Sequence, residues 1–124
     1  MLRTRRVENP EETRLTPPNG SSSPTVVRRV EVLNSLGLHA RPAARIAQTV
    51  KDFDAEVALV LIEAPVDMGV PSGTRVDAAS VMDILFLAAP AGTKLDIEAD
   101  GAQAEEAADA LVALFEDQFG VVEG

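Results

Sequence analysis

The sequence of 124 residues contains no cysteine and only one histidine. Without cysteine there is no disulfide-stabilised scaffold and no zinc or iron–sulfur site with cysteine ligands. A single histidine also excludes metal centres built from several imidazoles. No apolar run approaches the roughly 20 residues of a membrane-spanning helix, and the N-terminus lacks the apolar core of a secretory signal. These absences predict a cytoplasmic protein with no membrane partner.

Basic residues are few, with 11 Lys and Arg against 20 Asp and Glu and a formal net charge of −9. This charge argues against nucleic acid as a partner, because phosphate contacts need a basic surface. The charge is also uneven: residues 1–30 hold six basic and three acidic residues, whereas residues 31–124 hold five and seventeen. Arg41, Arg45 and Lys51 lie on one predicted helix. This basic stripe is either a docking surface for an acidic partner or an ordinary solvated helix face.

The chain has the length of one domain, preceded by a segment of different composition. Residues 1–24 are dominated by proline, serine, glycine and charged residues, without an apolar period. Such a segment cannot bury enough apolar surface to offset the entropy that ordering costs. We therefore expect a disordered N-terminal extension over residues 1–24 and one folded domain over residues 25–124.

The periodicity of apolar residues predicts seven elements in the order βαββαβα. Alternating or β-branched segments predict strands, as in the last strand with Leu95, Ile97 and Ala99 on one side. Apolar residues at i, i+3, i+4 and i+7 predict helices, as in the first helix with the stripe Ala43, Ile46, Ala47 and Val50. The predicted strands are 25–33, 55–62, 74–79 and 93–99, and the predicted helices are 40–51, 80–87 and 102–119. The last helix should turn one stripe inward, made of Ala104, Ala107, Ala108, Leu111, Leu114, Phe115 and Gln118. This order fits an α+β fold in which helices cover one face of a four-stranded sheet.

The single histidine, His39, stands between a glycine-containing turn and the predicted start of the first helix. A helix N-terminus presents free N–H groups and a partial positive charge, which makes it an anion site. Arg41 adds a guanidinium whose forked donors suit phosphate oxygens, and a neutral imidazole nitrogen is a competent nucleophile. The segment therefore combines a nucleophile, a phosphate cradle and a charge clamp. The alternative is a surface histidine that only caps the helix.

The segment Gly37–Pro42, with the sequence G-L-H-A-R-P, closely resembles the active-site region of the HPr phosphocarrier family of the phosphoenolpyruvate-dependent phosphotransferase system. The resemblance extends from Val26 to Phe119 and includes the later segments AASVMDILFLA and EEAADALVALFEDQFG. It implies an HPr-like open-faced β-sandwich, a four-stranded antiparallel sheet with three helices on one face. The segments FDAEV and LFEDQF are more similar to the nitrogen-related paralogues than to the sugar-transport branch.

The resemblance also implies a phosphoryl relay. His39 would accept a phosphoryl group on Nδ1 from the phosphorylated histidine of Enzyme I, and would pass it to a histidine of an EIIA-type domain. Arg41 matches the arginine that stabilises the phosphoryl group. A protein of this kind is a phosphoryl carrier rather than a stand-alone enzyme, and this chain, expected to be a monomer, needs no metal or other cofactor for the transfer.

Ser80, at the predicted start of the second helix, has two open interpretations. It matches the serine that a dedicated ATP-dependent kinase, the HPr kinase/phosphorylase, modifies in many relatives. On the residues alone it is a plain N-cap, with Asp83 three positions further on. Val81 and Leu85 are predicted to face outward, with Ile84 and Leu87 in the core. The implied docking residues are Ala40, Ala44 and Arg45 on the first helix and Val81, Met82 and Leu85 on the second.

Two other functions compete with the relay. One is a regulatory binding module that is controlled by phosphorylation of Ser80 and in which His39 is vestigial. The other is a hydrolase that uses His39, although no second acid or base is grouped with it.

Three features depart from the family pattern: Asp83, the long loop at 63–73 and the extension at 1–24. The sequence therefore leaves open the final acceptor, any transported sugar and the kinase.

Overall fold

The computed structural model describes residues 25–120, so the extension predicted for residues 1–24 lies outside the described residues. The elements follow the predicted order βαββαβα and confirm the predicted α+β fold class. They are β1 (Val26–Glu31), α1 (Ala40–Lys51), β2 (Glu56–Glu63), β3 (Arg75–Asp77), α2 (Val81–Leu87), β4 (Lys94–Asp100) and α3 (Ala104–Glu116), followed by a 3₁₀ turn (Gln118–Gly120).

The four strands form one antiparallel sheet in the order β1-β4-β2-β3, with β4 between β1 and β2. The alternation predicted for β4 is confirmed, because Leu95, Ile97 and Ala99 are buried. Leu95 pairs with Val30 on one side and with Leu61 on the other, and all three side chains are buried. The register therefore places apolar positions of neighbouring strands side by side on the face that the helices cover.

The opposite face of the sheet is open and charged. Arg29 on β1 forms an ion pair with Asp96 on β4, and Arg75 on β3 forms one with Glu98 at 2.5 Å. The hydrogen bond with Asp96 raises the pKa of the Arg29 guanidinium. Because both arginines are largely exposed, such pairs add little stability. They nevertheless keep this face polar, so that the core lies on the helical side.

Each helix contributes one apolar stripe to the core. Helix α1 has the predicted stripe, and its inner residues are Pro42, Ala43, Ile46, Ala47 and Val50. Helix α2 buries Ile84 and Leu87, as predicted. Helix α3 buries five of the seven predicted residues: Ala104, Ala107, Ala108, Leu111 and Phe115. The other two are corrections, because Leu114 is only half-buried and Gln118 lies beyond the end of the helix.

The end of α3 differs from the prediction, since the helix stops at Glu116, three residues early. Gln118 and Phe119 both have left-handed backbone angles, with φ of 52° and 61°. This reversal returns Phe119 to the core, where its ring stands edge-on to Phe115 with the centroids 4.9 Å apart. Burial of the aromatic ring offsets the backbone strain that two such residues cost. The Phe119 carbonyl then accepts a hydrogen bond from Arg45 Nη1 at 3.0 Å.

Candidate functional site

The loop before α1 is held in one conformation by hydrogen bonds around Gly37. The Gly37 N–H donates to the Asn34 carbonyl at 3.1 Å, and Asn34 Nδ2 donates to the Gly37 carbonyl at 2.6 Å. The next residue, Leu38, donates its N–H to the Ala89 carbonyl at 2.8 Å. Gly37 has a φ of +71°, and a Cβ at this position would overlap the Ala89 carbonyl oxygen. Only glycine fits here, and the loop delivers His39 to a fixed place.

His39 is the N-cap residue of α1, as predicted. Its backbone is extended, with φ −87° and ψ −167°, and its carbonyl accepts the Ala43 N–H at 3.0 Å. The side chain makes no capping hydrogen bond, so the ring is not used as a helix cap. Pro42 has no N–H to offer. The amides of Ala40 and Arg41 are therefore the donors that this helix end presents to an anion.

The imidazole of His39 is half-buried, and its two nitrogens differ. Nε2 has no solvent-accessible surface and, within residues 25–120, no hydrogen-bond partner. An incoming phosphoryl group cannot reach a buried nitrogen. The geometry therefore leaves Nδ1 as the nitrogen that can act as a nucleophile.

Arg41 lies two residues after His39 and is exposed. In the part of the chain that the structure describes, its guanidinium forms no ion pair or hydrogen bond. The 12 residues of α1 contain no Asp or Glu, so nothing on this helix neutralises its positive end. The start of α1 therefore combines a helix dipole with a free guanidinium, which together favour a phosphate dianion.

The remaining predicted residues of α1 fall into two groups. Ala40 and Ala44 are exposed and lie one turn apart at the start of α1, which follows His39. Arg45 is exposed too, but its guanidinium is bound to the Phe119 carbonyl and holds the C-terminal turn against α1. Of the two arginines in the predicted stripe, only Arg41 is therefore available to a ligand or partner, because Arg45 binds the C-terminal turn.

Ser80 is the N-cap of α2, and its hydroxyl accepts a hydrogen bond from the Asp83 N–H at 3.1 Å. The Asp83 carboxylate accepts in turn from the Asp77 N–H at 3.2 Å. The Asp77 carboxylate accepts from the Ala79 N–H at 2.9 Å. The capping role that the sequence indicates is therefore present. Any group added to Ser80 would meet two carboxylates beside it.

The outward face of α2 differs from the prediction. Val81 and Leu85 are half-buried and pack against the core, whereas Met82 is 74% and Phe86 is 67% exposed. At 100° per residue, Met82 and Phe86 each stand about 200° from the buried Ile84, on the far side of the helix. We call Met82 and Phe86 the apolar patch. Phe86 was not predicted, because its i, i+4 spacing from Met82 is the same as the spacing of Leu85 from Val81.

The described residues show neither a membrane span nor a cluster of metal ligands. Between residues 25 and 120, no helix is both long enough and apolar enough to cross a membrane. The same range holds no group of three or more His, Asp or Glu side chains placed to bind a metal ion. The site is therefore described by its own side chains and backbone amides.

A family model described as "PTS HPr component phosphorylation site" matches residues 26–117. Phosphocarrier protein NPr of Escherichia coli (strain K12) is 41% identical over 95 residues, which cover 77% of this chain and 96% of that protein. Phosphocarrier protein HPr of Cupriavidus necator is 37% identical over 93 residues, covering 75% of this chain and 93% of that protein.

Two solved structures of HPr proteins are similar to this fold as well. The crystal structure of HPr-C-His from Thermoanaerobacter tengcongensis superposes with a TM-score of 0.66 at 33% identity, covering 78% of this chain and 98% of that one. The crystal structure of a phosphocarrier protein HPr from Bacillus anthracis gives a TM-score of 0.62 at 35% identity, covering 75% and 99%. The chain therefore belongs to the HPr family of phosphotransferase-system phosphocarrier proteins.

Proposed function

We propose that this phosphocarrier accepts a phosphoryl group from phosphorylated Enzyme I on Nδ1 of His39 and passes it to an EIIA-type domain. The observation that carries the proposal is the placement of His39. Its ring stands at the unneutralised N-terminus of α1, with Nε2 buried and Arg41 unpaired among the described residues. Each of these features favours a phosphoryl group at Nδ1.

The transfer step balances without a cofactor. The Nδ1 lone pair of the neutral ring attacks the phosphorus of the donor phosphohistidine. The donor P–N bond breaks, and its electron pair returns to the donor nitrogen. Because one phosphohistidine replaces another, the step is close to thermoneutral and reversible. Catalysis then consists of positioning and charge stabilisation, for which the Ala40 and Arg41 amides and the Arg41 guanidinium are available.

We infer that the partner surface consists of Ala40, Ala44 and the apolar patch. Ala40 and Ala44 are exposed on α1 beside His39, and Met82 and Phe86 are exposed large apolar side chains. Exposed large apolar side chains are typical of an interaction surface. Val81 and Leu85, being half-buried, would support the patch from below more than contact a partner directly.

Regulation at Ser80 is a separate proposal. Phosphorylation by an HPr kinase/phosphorylase would place a dianion at the start of α2, next to the apolar patch, and would slow docking. The helix end favours this phosphate, whereas the carboxylates of Asp77 and Asp83 oppose it. Incubation with ATP and such a kinase tests the proposal. A gain of one phosphoryl group on wild type and none on Ser80→Ala supports it, and an unmodified wild type contradicts it.

We propose that this protein is a monomeric carrier that acts in the cytoplasm, in the nitrogen-related branch of the phosphotransferase system. Five NPr proteins are 40–41% identical to this chain, whereas HPr proteins of Cupriavidus necator and Neisseria meningitidis are 36–37% identical. The test is to compare phosphorylation by the nitrogen-related and the sugar-branch forms of Enzyme I. A higher kcat/KM with the nitrogen-related form supports the assignment, and a higher value with the sugar-branch form contradicts it.

The experiment for the relay itself uses phosphoenolpyruvate and Enzyme I with this chain. The proposal predicts one phosphoryl group per chain that is labile in acid and stable in base, as a phosphohistidine is. Subsequent addition of an EIIA-type domain should remove it. The alternative of a purely regulatory module predicts no such phosphate, and the presence of both His39 and Arg41 in the sequence argues against that alternative.

A further inference from the structure

Asn34 is a buried polar residue that the relay described above does not use. Its side chain is fully buried, and only Asn34 and Thr93 are buried polar residues within the described range, 25–120. Burial of an amide is costly unless its donor and acceptor atoms find partners. Asn34 lies at the start of the turn that leads to His39. We therefore examine how its side chain contacts this turn.

The donor half of the Asn34 amide has a clear role. Asn34 Nδ2 donates to the Gly37 carbonyl at 2.6 Å, and the same carbonyl accepts the His39 N–H at 3.0 Å. Asn34 and His39 are therefore joined through one carbonyl oxygen. A loop that is fixed at this oxygen also fixes the backbone from which the imidazole projects.

The acceptor half of the amide is unpaired, and so is one atom of His39. Asn34 Oδ1 and His39 Nε2 are the two buried side-chain polar atoms without a hydrogen-bond partner in the described part of the chain. Oδ1 is an acceptor, and Nε2 carries a proton when the Nδ1 lone pair is free. One buried group thus lacks a donor and the other lacks an acceptor, and both residues flank the Gly37 carbonyl.

We propose that Asn34 is a positioning residue that holds His39 in the tautomer with the proton on Nε2. The inference rests on the proposed phosphoryl relay, since that tautomer leaves the Nδ1 lone pair for the phosphoryl group. The two atoms are not bonded to each other in this structure, so the proposal requires that a rotation of the imidazole or one bridging water join Oδ1 to Nε2–H. Such a contact satisfies both buried atoms at once, in the way that a second partner orients the imidazole of a catalytic histidine.

The first test uses the free wild-type protein and needs no partner. Nitrogen-15 NMR of uniformly labelled protein at neutral pH reports which ring nitrogen carries the proton. The proposal predicts a proton on Nε2 that exchanges slowly enough with water to give its own cross-peak. A neutral ring with its proton on Nδ1, or an Nε2 proton that exchanges as fast as that of a solvated imidazole, overturns the proposal.

The second test compares variants in transfer from phosphorylated Enzyme I. Asn34→Ala should lower kcat about tenfold, the rate equivalent of one lost hydrogen bond, with KM within about twofold because Asn34 is buried away from the partner. Its Nε2 cross-peak should disappear. Thr93→Val is the matched control, because it removes the other buried polar side chain, whose hydroxyl contacts Met68 rather than His39. This variant should keep the cross-peak and the wild-type kcat.

The outcomes separate the two proposals. A folded Asn34→Ala that keeps both kcat and the cross-peak shows that Asn34 serves the fold alone and overturns the inference. Loss of kcat to the same extent in Thr93→Val also overturns it, since the effect is then general. If Enzyme I does not phosphorylate the wild type, the relay fails, whereas the NMR measurement still decides the tautomer. If Asn34→Ala does not fold, the wild-type cross-peak remains the deciding measurement.

Discussion

Gly37 lies so close to Ala89 that a Cβ atom on Gly37 would overlap the Ala89 carbonyl oxygen and stand 2.9 Å from the Cα of Pro90. The N–H of Leu38 donates to that same carbonyl. The turn before His39 is therefore packed against the chain that follows α2, which holds His39 and the apolar patch in a fixed relation. Two segments far apart in sequence are joined at one backbone oxygen.

Gly37→Ala tests this packing. We expect a loss of about 3 kcal/mol in the free energy of unfolding, because the methyl group meets backbone and the residue needs a positive φ. Urea denaturation measures the loss. Gly73→Ala is the control: Gly73 also has a positive φ, 93°, but no atom lies within 4 Å of its Cβ position. That variant should lose about 1 kcal/mol, for the backbone strain alone. Equal losses would contradict the close packing.

Phe86→Ser tests the apolar patch. Because Phe86 is 67% exposed, its replacement should leave stability nearly unchanged. The KM for phosphorylated Enzyme I should rise about fivefold, as expected when an apolar contact at an interface is lost. Val66→Ser is the matched control, since Val66 is 62% exposed in the loop between β2 and β3. An equal KM for wild type and Phe86→Ser would remove the patch from the interface.

Much of this architecture was predictable from local pattern. Strand alternation, the α1 stripe and the N-cap position of His39 follow from residues adjacent in sequence, and the structure confirms them. The end of α3 was not predictable, because it depends on non-local contacts of Phe119 with Phe115 and Arg45. The helical pattern over residues 102–119 gives no sign that the chain is more stable when it reverses direction after Glu116 and buries Phe119.

In the candidate site too, some features could be predicted from the local sequence and others could not. His39 and Arg41 stand in a local motif and were identified from it. Asn34 reads in sequence only as a strand-breaking turn residue, because its burial and its bond to Gly37 exist only in the folded loop. In α2, seven residues make barely two turns, so the period could not distinguish an outward Val81 and Leu85 from the true outward pair.

Ser80→Asp tests whether charge at the start of α2 controls docking. Aspartate is itself a good N-cap, so the helix should survive. Phosphorylation of His39 should slow, because a carboxylate beside Met82 must be desolvated when the partner docks. Ser80→Ala is the control: it removes the cap, at about 1 kcal/mol, without adding charge. Transfer rates are compared at low and high salt. Equal rates for all three proteins at both salt concentrations would contradict a regulatory role.

Deletion of residues 1–24 tests the proposed domain boundary. The family match begins at residue 26, so the domain that starts at residue 25 should contain the whole relay. The shortened chain is expected to accept a phosphoryl group from Enzyme I with kcat and KM within about twofold of the full chain, since the composition of residues 1–24 offers no core contribution. A large rise in KM would show that this segment docks on the partner.

The central claim is that His39 carries the phosphoryl group, and phosphorylation of His39→Gln measures it most directly. Glutamine keeps a polar side chain at the N-cap, and the histidine ring makes no capping bond to lose, so stability should change by less than about 1 kcal/mol. Both proteins are incubated with phosphoenolpyruvate and Enzyme I, and their masses are then measured at alkaline pH. We expect wild type to gain one phosphoryl group and His39→Gln to gain none. A folded His39→Gln that is phosphorylated to the same extent as wild type would contradict the account.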